Sequence, residues 1–105
     1  MNPEEKALWA ACAKNLQKQL FLPDTPSSVS REDLAAFICP AISRMLNQDM
    51  DSLLQLCYRV DLGEEKLKHI LHHSPVACLA MDLSLALVDR QLLKQRLRAT
   101  YGEGL

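Results

Sequence analysis

Plotted at about 100° per residue, the apolar positions of the chain gather on one side in five successive segments, the signature of amphipathic helices. In the first, over about 4–21, Leu8, Cys12, Leu16 and Leu20 line one side with Trp9 and Ala13, while Lys14, Gln17 and Lys18 lie opposite. Pro3 suits the first turn, where a missing N–H costs nothing. The stretch from Leu22 to Ser28 combines two prolines with turn-forming residues and predicts a surface connector, about 22–29. Ser30, three residues before Asp33, reads as the N-cap of a second helix, whose apolar set is Leu34, Phe37, Ile38, Ala41, Ile42 and Met45. That set keeps one angular phase across Pro40, which projects away from it. A kinked but continuous helix to about Asn47 is therefore predicted; the alternative is a break at Cys39 with Pro40 opening a new helix.

Asp49 or Asp51 can cap a third helix that turns Met50, Leu53, Leu56, Cys57 and Val60 inward and ends before Asp61-Leu62-Gly63. Asp61 is read as the cap of a fourth helix, about 64–73, with Leu67, Ile70 and Leu71 inward. Ser74-Pro75 stops it, and Pro75 opens the last segment, about 75–101, with Gly102 as its stop. From Val76 to Val88 only Asp82 and Ser84 interrupt an apolar circumference, which predicts a strut enclosed by the other helices. Beyond Asp89 the apolar side narrows to Leu92, Leu93 and Leu97, beside Arg90, Lys94 and Arg98 at four-residue spacing. The expected fold is all-α: a compact four- or five-helix bundle whose long C-terminal helix is central in its first half.

Composition sharpens this picture. At 105 residues the chain is one domain's length, read as a single helical unit over 1–105. With 49% hydrophobic and 24% charged residues it matches ordinary folded domains, and only three glycines favour helix. Twelve Lys+Arg against thirteen Asp+Glu leave a net charge of -1, so no global field draws it to nucleic acid or anionic lipid. A charged N-terminus and the lack of a long apolar run predict a protein that is neither exported nor embedded, with no membrane partner. Cys12, Cys39, Cys57 and Cys78 show no CxxC spacing and read as reduced core thiols, which suits the cytoplasm.

Candidate chemistry is sparse. His69, His72 and His73, with Glu65 a turn earlier, are the residues that could chelate a divalent ion. One helix offers at most three such ligands without a supporting shell, so solvated surface histidines are expected and no metal or other cofactor is implied. The helices flanking Asp61-Leu62-Gly63 have helix-turn-helix proportions, yet Glu64 and Glu65 would lead the fourth helix toward DNA phosphates. Arg90, Lys94, Arg96 and Arg98, with Tyr101, form the most basic local surface, which fits either helix-dipole complementation or an anionic partner. Cys78 follows His72 and His73, but a thiol in so apolar a stretch would be protonated and inert. No phosphate-binding loop, nucleophile elbow or paired-carboxylate motif occurs, and no catalysis is expected.

The run Leu53-Leu54-Gln55-Leu56-Cys57-Tyr58-Arg59-Val60-Asp61, followed by Glu64-Glu65-Lys66-Leu67, resembles a pattern in short, uncharacterised helical proteins of bacteria. The resemblance implies a bacterial, cytoplasmic setting and carries over no functional residue. The expected function is that of a non-catalytic interaction module, binding a protein partner or its own copy through Leu92, Leu93, Leu97 and Tyr101. The alternative is a nucleic-acid-binding regulator that uses the basic C-terminal helix or the corner over 49–73.

Overall fold

The computed structural model describes residues 3–22 and 30–101. The predicted connector, about 22–29, lies outside the described residues apart from Leu22, as does the stop at Gly102. Five α-helices are present among the described residues: α1 (Pro3–Leu20), α2 (Arg31–Gln48), α3 (Met50–Val60), α4 (Glu64–His73) and α5 (Leu79–Tyr101), with a 3-10 turn at Val76–Cys78 before the last. The protein is all-helical among the described residues.

Local chemistry explains most boundaries. Ser30 accepts a hydrogen bond from the Asp33 N–H at 3.1 Å and so caps α2. The helix runs unbroken through Pro40, where both Pro40 and Ala36 are exposed and the carbonyl left without a donor can bond to water. Asp49, rather than Asp51, caps α3 by accepting from the Ser52 backbone N–H at 3.2 Å. Hydrogen bonding by Ser52, first from its hydroxyl and then from its N–H, lowers the Asp49 pKa.

Helices α1 and α3 end alike. Phe21 (φ 55°) and Asp61 (φ 62°) turn left-handed. The next N–H then reaches back five residues, from Leu22 to Gln17 and from Leu62 to Cys57, at 3.0 Å each. This is the Schellman arrangement, which satisfies carbonyls the helix would leave orphaned. Asp61 therefore closes α3 and does not cap α4, contrary to expectation. Gly63 stands before α4 with φ 95° and makes no side-chain cap.

The core gathers around α5, which packs against all four other helices and most extensively against α2. Leu83, Leu87 and Val88 are fully buried, with Leu16, Leu34, Ile38, Ile42, Leu53 and Leu56 around them. The enclosed stretch starts later than predicted. After Ser74 in extended backbone, Val76, Ala77 and Cys78 form an exposed 3-10 turn, with Val76 91% accessible. Met50, expected inward, is exposed: it is the first residue of α3, a turn short of Leu53, where burial of that helix begins. Ser84 is buried and donates its hydroxyl to the Ala80 carbonyl at 2.7 Å, so the one hydroxyl of the strut is satisfied. No helix is long and apolar enough to cross a membrane among the described residues.

Candidate functional site

The second half of α5 passes the C-terminal end of α3, and the two are tied by cations. Arg90 donates to Asp61 at 2.9 Å, and the Lys94 ammonium donates to the Arg59 carbonyl at 3.3 Å. A positive charge there complements the negative end of the α3 dipole. Arg59 in turn donates to the Gln19 side-chain oxygen at 2.7 Å, bringing the end of α1 into the same junction. Two of the four predicted basic-patch residues are thus engaged within the fold. Arg96 and Arg98 remain exposed and form no ion pair among the described residues.

On this part of α5, Leu93, Leu97 and Tyr101 recur every four residues and are 45%, 39% and 70% accessible. They form an apolar ridge. Arg96 and Arg98 lie one residue either side of Leu97, hence about 100° round the helix in each direction, and flank the ridge. Leu92, grouped with them from the sequence, instead packs against the core as a half-buried residue. Gln91 and Gln95 are buried on the side of α5 away from the ridge, so the inward face of this half-helix is partly polar.

A second feature could not be read from the wheel of any single helix. Helices α3 and α4 lean on α5 more than on each other, which leaves a cleft of about 420 Å³ between them. Leu54, Cys57, Leu67 and Leu71 form its walls, Tyr58 stands at its edge, and Asp61, Glu64 and Lys68 line its polar margin. Glu64 and Lys68 pair at 3.3 Å, while Glu65 next to them is exposed and forms no ion pair among the described residues. The sequence does hold one trace of the cleft: Leu54 and Tyr58, four apart and so neighbours on one side of α3, extend its apolar surface beyond the inward face.

The histidines face water, as expected, but they are not posed as ligands. The rings of His69 and His73 stack, with centroids 4.3 Å apart and planes 19° from parallel, and His73 Nδ1 lies 3.0 Å from the His69 carbonyl. Chelation needs in-plane lone pairs converging on one ion, whereas stacked rings point theirs side by side. No group of three or more His, Cys, Asp or Glu that could hold a metal ion occurs among the described residues.

All four cysteines are free, but only Cys12 and Cys57 are core thiols. Burial pushes both up to about 11, with a smaller opposing effect of the Arg96 charge on Cys12. Cys39 is half-buried. Cys78 is exposed, because the apolar run that was to enclose it begins as the 3-10 turn. Comparison with family models, curated proteins and solved structures returns no match.

Proposed function

We propose that the protein is a non-catalytic interaction module that associates with its own copy through α5. The observation that carries this reading is the ridge of Leu93, Leu97 and Tyr101, three large apolar side chains left in water on one side of a helix whose opposite side is anchored in the core. Exposed apolar side chains occur singly on many proteins, but an aligned set flanked by cations is the pattern of an interface. The thiol chemistry supports a binding role over a catalytic one. Cys12 and Cys57 are protonated at neutral pH, and Cys78 makes no hydrogen bond with His72 or His73 among the described residues. Four unpaired thiols support a reducing cytoplasm, and the resemblance at 53–67 supports a bacterial one.

The nucleic-acid reading has less support, since Arg90 and Lys94 are committed to the α3 end and Glu64 and Glu65 lead α4. Light scattering during size-exclusion chromatography tests the proposal. The wild type is expected at twice the monomer mass at micromolar concentration, and Leu93→Glu/Leu97→Glu at the monomer mass with unchanged helical circular dichroism. A monomeric wild type overturns it.

A further inference from the structure

The ridge needs a complementary surface, and its own twin is a poor one. From Arg90 to Tyr101, α5 carries Arg90, Lys94, Arg96 and Arg98 and no carboxylate. Packing two such segments together would bring like charges face to face across a desolvated seam. The α3–α4 cleft has the opposite character. It is concave where the ridge is convex, its walls are apolar, and its margin holds Asp61, which pairs with Arg90, and Glu64, which pairs with Lys68; Glu65, next along α4, is exposed and forms no ion pair among the described residues.

Resting on the self-association reading above, we propose that the α5 ridge of one copy seats in the α3–α4 cleft of a second copy, and reciprocally. Leu93, Leu97 and Tyr101 enter between Leu54 and Leu71 and cover Tyr58, while Arg96 and Arg98 meet Glu64 at the cleft margin and the exposed Glu65 beside it at the start of α4. Symmetry favours two joints over one. If residue i of one copy meets residue j of the other, a two-fold axis makes j meet i, so the pair closes without growing into a filament. Closure also brings the buried surface nearer the roughly 800 Å² per partner of a standard interface, which a single ridge of three side chains does not reach.

Charge reversal tests the pairing. The wild type is expected to be a dimer, and Arg96→Glu/Arg98→Glu and Glu64→Arg/Glu65→Arg are each expected to weaken dimerisation at least about tenfold when alone. Mixed one to one, the two variants should regain the dimer mass, because in the mixed pair both joints again match Arg with Glu. Tyr58→Glu, at an exposed position, should also be monomeric; it serves as the second cleft variant if Arg at the start of α4 disturbs folding. A dimeric Glu64→Arg/Glu65→Arg or Tyr58→Glu protein overturns the cleft assignment and leaves self-association through α5 standing. A mixture that stays monomeric overturns it as well. A monomeric wild type overturns both the cleft assignment and the reading on which it rests.

Discussion

Within one helix, α5 passes from the centre of the protein to its surface, so two leucines ten residues apart should respond very differently to truncation. Leu87 is fully buried, and Leu87→Ala deletes three carbons, worth about 2.4 kcal/mol at roughly 0.8 kcal/mol each. The packed surroundings relax only in part, so a cavity penalty brings the cost to about 3–4 kcal/mol, inside the roughly 2–5 kcal/mol range for such changes. Leu97 is 39% accessible. Its truncation forfeits at most about 1.5 kcal/mol of transfer energy, opens no closed cavity, and gains slightly from the helix propensity of alanine, for a net cost of about 1 kcal/mol. Against a total stability of about 5–15 kcal/mol, the first change is severe and the second modest. Urea unfolding followed by circular dichroism, at a concentration low enough to suppress association, measures both. The Leu87→Ala midpoint should fall far more than that of Leu97→Ala at similar slope, with a melting temperature lower by on the order of 15 °C. A cost below about 1 kcal/mol for Leu87→Ala, or one no greater than for Leu97→Ala, would refute the placement of α5 at the centre.

Four further outcomes are expected. Phe21 holds φ 55° with its ring 91% accessible, so Phe21→Gly should raise stability by roughly 0.5–1 kcal/mol in a thermal melt; a lower melting temperature would mean the ring packs against something. Cys12 and Cys57 hold their protons up to about 11, above their ordinary 9. Folding is therefore favoured by the neutral thiols below pH 9, and this stabilisation is lost as pH rises from about 9 to about 11. At pH 8 a thiol reagent should modify Cys78 at once but reach Cys12 and Cys57 only on unfolding, and four equally fast thiols would contradict the burial. Asp49, held below the usual carboxylate range by Ser52, contributes stability above its unfolded pKa that is lost on acidification through the lower folded value; Asp49→Ala should abolish that acid dependence in equilibrium unfolding.

Much of this fold was legible along the chain because helices are local objects. A four-residue recurrence, Ser30 three residues before Asp33, and Asp49 ahead of Ser52 each specify structure within a turn or two. The passage through Pro40 was legible for the same reason, since the apolar phase is continuous across it and the proline faces outward. Where local signals compete, reading fails: Asp61 has the composition of an N-cap, yet the bonds from Asp61 and Leu62 back to α3 claim it as a C-terminal residue.

Patterns along the chain suffice to establish that it is helical, roughly where each helix begins and ends, and which side of each is apolar. Tertiary structure alone decided how far each apolar side is covered. It left Val76, Cys78 and Met50 in solvent, packed Leu92 half-buried against the core, and committed Arg90 and Lys94 to the end of α3. It also opened the cleft between α3 and α4, because both helices lean on α5. The physical reason is that periodicity reports the faces of one helix, whereas burial and cation pairing depend on which distant helix arrives at that face, and no local pattern encodes that arrival.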